Sequence, residues 1–426
     1  MTAVAAARAR ERAHAWPLLA PIAWRNLWRN RRRTWLTAGA IAFAVALLSF
    51  ATSMQSGSYA TMIDNATSLL SGHAQIQREG YRDDPRLERT IAGASALRAR
   101  IERMRGVRAA TERIEAFVLA SAGERSFAGK LLGVDPAREQ RVSSLPRRVD
   151  AGRYLGESAR APSADVEVFA GAALAKNLGI VVGGELVLLG TDRDGGVATI
   201  SGRLVGTFAT GEPELDRSVL EVPIEAARAA FALGDEAHAI VVRGDASVVD
   251  ALAAELRTVV AHGAVVLDWR ALLPDVEQAI ALDRASGRIL FGLLALVVAF
   301  SVVSSFVMVV FERTHELGVM LAIGMKPWRI VGMLELEACW LAALGIGAGI
   351  AVAVPLVLWA AGVGIGMGVE SELLERFYMA DRLYPALSRR SLLEPAAILA
   401  VATLAAAFLP SLRVRRLSPV QALRDR

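Results

Sequence analysis

Four stretches of this chain are predominantly apolar over the length a bilayer core demands, and the residues between them are patterned like a water-soluble protein. No charged residue occurs from Thr34 to Ile63, and residues 35–55 (WLTAGAIAFAVALLSFATSMQ) supply the roughly 20 residues at about 1.5 Å each that cross a membrane. Comparable runs occupy residues 289–311 and 395–412, and a longer one fills residues 330–362. Ahead of the first run, residues 22–33 form a different pattern. On a helix Trp24, Leu27 and Trp28 share one face, while Arg25, Arg29, Arg32 and Arg33 recur at i, i+4, i+7 and i+8. That is a basic amphipathic helix with indoles at headgroup depth, expected to lie on the cytoplasmic membrane surface.

Residues 56–288 contain no membrane-length run and alternate between two periods. Helical periodicity is expected over Ala94 to Arg105, Phe169 to Leu178 and Val248 to Val259. Short β-rich runs lie at Ala116 to Leu119, Glu185 to Leu189, Val197 to Phe208, Ala239 to Val242 and Ala264 to Leu267, with Asp192 to Gly196 as a hairpin turn. A segment of this size can bury its own core, and two subdomains are expected. Tyr59 to Leu70 and Leu272 to Arg288 keep a helical pattern out of the first run and into the second, as stalks would.

Charge then orients these pieces. The arginines crowd at the ends of the apolar runs: five lie just before the first, Arg313 and Arg329 flank residues 312–329, and Arg413, Arg415 and Arg416 follow the fourth. By the positive-inside rule both termini and the 312–329 loop are cytoplasmic. The expected fold class is an integral membrane α-helical protein with four transmembrane helices and a large mixed α/β extracytoplasmic domain. Its expected layout is a cytoplasmic N-terminus (1–33), crossings at 34–55, 289–311, 330–362 and 395–412, the external domain (56–288), the cytoplasmic loop (312–329), a short external loop (363–394) and a cytoplasmic tail (413–426).

Composition agrees: 54% hydrophobic and 21% charged is too apolar for an ordinary soluble chain. The net charge of +5 is membrane-flanking charge and not a nucleic-acid stripe, so no nucleic acid is expected. The single cysteine, Cys339, excludes an intrachain disulfide. The five histidines, His14, His73, His238, His262 and His315, show no zinc-ligand spacing, and no metal or catalytic residue is expected. Gly123 to Lys130 (GERSFAGK) has one residue too many between its glycines for a phosphate loop, and Leu131 stands where a hydroxyl should reach Mg²⁺.

Two carboxylates, Glu335 and Glu337, enter the third run. They sit either at the headgroups or in a hydrogen-bonded contact inside the bundle, since membrane carboxylates are costly unless paired. In the same run Gly345, Gly347 and Gly349 give a small-residue face suited to close helix packing, within the chain or across a dimer. The 312–329 segment reads as a helix through Ala322, stopped by Gly324 in a left-handed cap, with Pro327 opening the next crossing.

Glu312-Arg313, Glu316-Leu317-Gly318 and Ala322-Ile323-Gly324, with the ending Ser418-Pro419-Val420-Gln421-Ala422-Leu423-Arg424, resemble the motifs of the MacB/LolC/LolE-type permeases of ATP-binding-cassette (ABC) systems, also called FtsX-like. The external segment is most similar to the lipoprotein-releasing LolC/LolE branch; Lys326-Pro327-Trp328 departs from the family's usual polar pair. The resemblance implies a non-enzymatic permease subunit in the bacterial inner membrane that works by mechanotransmission. It implies a dimeric ABC ATPase as partner, a second permease subunit that is the same or homologous, contact with membrane lipids, and a lipoprotein cargo with its periplasmic carrier or adaptor. ATP and Mg²⁺ would be bound by the partner and no cofactor by this chain. The implied coupling residues are Glu312, Arg313, His315, Glu316, Leu317, Gly318, Ala322 and Gly324; Glu337, Gly345 and Gly349 are the expected packing positions. A MacB-like efflux permease or an FtsX-like regulator of a cell-wall hydrolase remain the alternatives.

Overall fold

The computed structural model describes residues 20–156, 166–244, 249–260, 263–366 and 382–416. The chain forms two compact units: one of residues 1–59, 281–367 and 382–426, the other of residues 60–280 and 368–381. The 418–424 motif, His14, His262 and the middle of the 363–394 loop lie outside the described residues.

The first unit is helical. Its elements are α1 (Ala20–Leu69) as far as residue 59, α2 (Pro274–Glu312) from residue 281 onward, the short α3 (Thr314–Ala322), α4 (Pro327–Val363) and α5 (Arg389–Ser411). Of these, α1, α2, α4 and α5 are long and apolar enough to cross a membrane. The basic segment is continuous with the first crossing through a tightened turn at Trp28–Asn30. There the Thr34 hydroxyl donates to the carbonyls of Leu27 (2.5 Å) and Asn30 (3.2 Å), satisfying groups that a changed helical pitch would leave open. A capping box between Ser388 and Ser391 starts α5.

Close packing in this unit depends on absent side chains. A Cβ on Gly345 would lie 2.7 Å from the Ile41 Cβ, and one on Gly349 would lie 2.6 Å from the Val45 Cβ, so α4 approaches α1 at these two positions. Both contacts are made within one chain. Gly347 faces open space. Around this seam Ile41, Val45, Leu48, Phe291, Val302, Phe306, Leu341 and Leu399 form the buried core. A hydroxyl pair, Thr37 and Ser305 at 2.7 Å, ties α1 to α2.

In the second unit the strand β3 (Val107–Ala122) organises the fold. Its 16 residues pair along one edge with β4 (Arg125–Val134). Along the other edge its first half pairs with β11 (Ala239–Gly244) and its second half with β7 (Glu185–Thr191). One strand therefore changes partner midway along a single sheet. The order β3–β4–β9–β6–β8–β7 returns to β3 and closes a six-stranded barrel, with β9 at Val219–Pro223, β6 at Val166–Gly171 and β8 at Val197–Phe208. Closure leaves no free edge among these strands, a way of avoiding edge-to-edge association. The order β12–β1–β11–β3 extends the sheet, with β1 at Ala74–Arg78 and β12 at Ala264–Asp268.

Two of the buried cores follow this division. In the barrel β8 alternates from Val197 to Leu204, burying Ala198, Ile200 and Leu204 against Ile114, Leu131, Leu188, Leu220 and Phe231. Beside it Ile76, Ile101, Ile240, Val242, Leu252 and Leu256 form the core under the extended sheet. One sequence expectation is corrected here. Phe169 to Leu178 is not one helix, because Val166–Gly171 is a strand and the helix is only Ala172–Leu178, capped by Gly179 at φ +72°. Phe169 is fully buried against the rings of Tyr154 and Phe208, and that packing, with pairing on both sides, overrides the helical spacing. Residues 123–130 form the β3–β4 turn and the start of β4, not a loop opening a helix.

The second unit also buries charge. The Arg113 guanidinium forks onto Glu139 and reaches the Leu70 carbonyl, with both ionic side chains essentially inaccessible. Glu221, wholly buried, has no hydrogen-bond partner at either carboxyl oxygen among the described residues. Burial, and then the neighbouring Glu139 charge, pushes its carboxyl up to about 8.

Candidate functional site

The 312–329 segment is built as its sequence suggests. Arg313 leaves helical geometry between α2 and α3, with φ −107°. At the other end Gly324 has φ +96°; its N–H donates to the Leu321 carbonyl and the Met325 N–H to the Met320 carbonyl, both at 3.0 Å. These are the two bonds of a Schellman cap, which requires the left-handed residue that glycine supplies without strain. Pro327 then occupies the first turn of α4, where its missing N–H costs nothing.

The faces of α3 differ. Arg313, Leu317 and Gly318 are buried. Leu317 packs with Val309, Val310, Ile330, Met333, Leu334 and Val414, so the helix is pinned to the ends of α2 and α4 and to the residue run after α5. His315, Val319, Ala322 and Ile323, at i, i+4, i+7 and i+8, are exposed along the opposite face, Ile323 at 77%. Trp328 is also exposed and lies under the Arg415 guanidinium at 4.3 Å.

A polar web fixes the inner side. The Arg313 Nη1 donates to Glu337 Oε1 at 2.8 Å, and Asn26 Nδ2 donates to the same oxygen at 2.8 Å. Arg313 Nε reaches Glu316 Oε2 at 3.2 Å, and Arg29 forks onto both Glu316 oxygens. Arg33 Nη1 meets Glu312 Oε2 at 2.7 Å. The Arg29 guanidinium, and then burial opposed by Arg313, leaves the Glu316 carboxyl below the usual carboxylate range. Asn26, Arg29, Arg33, Arg313 and Glu337 line a cleft of about 200 Å³.

Thus the structure divides the sequence-derived residues. Glu312, Arg313, Glu316 and Glu337 are brought together with the basic start of α1; Leu317 and Gly318 are buried beneath them. His315, Ala322 and Gly324 are on the outside, and Gly345 and Gly349 belong to the α1–α4 seam. Of the two positions open to the carboxylates in α4, Glu337 takes the bundle contact, whereas Glu335 is half-buried and its Oε1 has no partner among the described residues. Sequence reasoning missed Asn26, Arg29 and Arg33 as partners, and Val319 and Ile323 as surface. A signal existed: Arg29 and Arg33 are four apart, as are Glu312 and Glu316, and the two pairs meet in antiparallel order.

Two family models match the chain. Residues 34–259 match the MacB-like periplasmic core domain and residues 288–419 the FtsX-like permease C-terminal domain. The chain is similar to the lipoprotein-releasing system transmembrane protein LolC of Neisseria meningitidis serogroup B, 26% identical over 240 residues, covering 55% of this chain and 57% of that protein. It is also similar to LolC of Xylella fastidiosa, 23% identical over 233 residues, covering 54% and 55% respectively. The chain thus spans about half the length of the curated relatives it matches. The periplasmic region of MacB from Actinobacillus actinomycetemcomitans is similar at 13% identity and a TM-score of 0.36, covering 51% of this chain and 97% of that one.

Proposed function

The chain belongs to the family of FtsX-like permeases carrying a MacB-like periplasmic core domain, and on that premise we propose that it couples a separate ABC ATPase to movement of its own extracytoplasmic domain. In this reading α3 is a lever. Its exposed stripe, His315, Val319, Ala322 and Ile323, docks on the ATPase, and its inner face, locked by Arg313 to Glu337 and by Arg29 to Glu316, passes displacement to α1, α2 and α4. The single observation that carries the proposal is that two-sided construction: an exposed, largely apolar face lies opposite a face fixed by buried charge. The same reading places both termini and α3 in the cytoplasm, the barrel domain outside, and ATP with Mg²⁺ on the partner. It needs a second permease subunit and no chemistry from this chain. Similarity to LolC supports lipoprotein release from the inner membrane as the work performed.

The test is Ile323→Asp in the chain co-expressed with its ATPase. A charge placed at the most exposed apolar residue of the docked face is expected to weaken association by about 10- to 1000-fold, the range of a buried hot spot. ATP hydrolysis in the assembled complex should lose its dependence on the permease. Unchanged association and turnover would sink the proposal.

A further inference from the structure

We infer that the basic start of α1 carries a binding site for the headgroup of an anionic phospholipid. Three indoles of α1 and one of α4 meet there edge to face: Trp340 with Trp24 at 5.2 Å between centroids, Trp24 with Trp28 at 5.6 Å, and Trp28 with Trp35 at 5.8 Å. Trp24, Trp35 and Trp340 are nonetheless exposed, as are Ile22 and Leu36 beside them. An indole array of this kind, apolar on its body and polar at its N–H, belongs at the boundary between acyl chains and headgroups.

Charge decides which headgroup. Of the five arginines between residues 25 and 33, Arg29 and Arg33 are matched by Glu316 and Glu312. Arg25, Arg31 and Arg32 are exposed, and among the described residues no carboxylate pairs with them. Arg25 and Arg29 share an open groove with Ile22, Trp24, Asn26 and Trp28. Guanidinium forks beside an indole wall fit a phosphodiester that ends in an acyl tail. A zwitterionic headgroup would return a positive charge to an already positive groove, so the occupant is a lipid with net negative charge, of the phosphatidylglycerol type. On the proposed topology it comes from the cytoplasmic leaflet, and only that clause rests on the transporter reading.

Native mass spectrometry of the full chain in neutral detergent, loaded with equal amounts of phosphatidylglycerol and phosphatidylcholine, tests this. The wild type should retain phosphatidylglycerol preferentially. Arg25→Gln with Arg32→Gln should reduce that preference by on the order of 25-fold, at about fivefold per guanidinium near a charged lipid surface. Arg25→Lys with Arg32→Lys should keep most of it, which separates loss of charge from loss of fold. Equal retention of the two lipids overturns the inference. So does a preference untouched by the glutamine variant, or complete displacement of the lipid by soluble glycerol phosphate, which would show a free-phosphate site instead.

Discussion

Replacing Arg313 by leucine is expected to cost about 3–5 kcal/mol of stability, the usual consequence of removing one partner of a buried ion pair. Arg313 and Glu337 have side chains only 9% and 6% exposed, and they meet at 2.8 Å. Without the guanidinium, Glu337 keeps only the Asn26 amide on an oxygen that two donors now share, and its buried charge loses its ionic partner. Arg313→Leu combined with Glu337→Leu should recover most of the loss, because the desolvation cost disappears with both charges. Thermal unfolding of the purified chain in detergent reads both variants. A single variant as stable as the wild type would show that the web contributes little. A double variant as unstable as the single would place the cost in lost side-chain packing instead of in charge.

Glu221→Gln is expected to stabilise the chain at alkaline pH and to leave it nearly unchanged in acid. The carboxyl is ordinarily half-ionised near 4.5 and is pushed up to about 8 by burial and by Glu139. Between those two values the native chain holds a proton that the unfolded chain releases, so stability falls as pH rises. The favourable contribution is fully present below about 4.5 and is lost as pH passes through about 8. At pH 9 the wild type keeps a buried carboxylate without hydrogen-bond partners among the described residues, and glutamine removes its charge on the same skeleton. The gain at pH 9 should be on the order of a few kcal/mol, read as a raised unfolding temperature. Equal unfolding temperatures at pH 9 would mean that the Arg113 charge compensates Glu221 as well as Glu139.

Much of the architecture was legible because hydrophobic length and period are strong signals. The four apolar runs became helices, the strand at Val197–Phe208 has the bounds its alternation indicated, and the Asp192 to Gly196 turn forms with the Asp192 carboxylate accepting from the N–H groups of Asp194 and Gly196. The barrel was not legible. Its closure depends on β3 changing partner from β11 to β7 midway, and nothing in the residues 114–118 between those pairings announces it. Phe169 shows the same limit, since helical spacing gave way to ring packing that only the fold creates. At the candidate site the helix, its glycine cap and the proline start could be read locally. Which residues face inward could not, because Arg313 and Glu316 take their direction from Glu337 and Arg29, the latter 287 positions away.

The central claim is that α3 meets the ATPase with one face and the membrane helices with the other. Photo-crosslinking residues placed singly at positions 315, 319 and 323, and for contrast at 317, test it most directly in the assembled complex. Adducts with the ATPase subunit at 315, 319 and 323, and none at 317, are the expected result. Adducts at 317, or none at the three exposed positions, would contradict it.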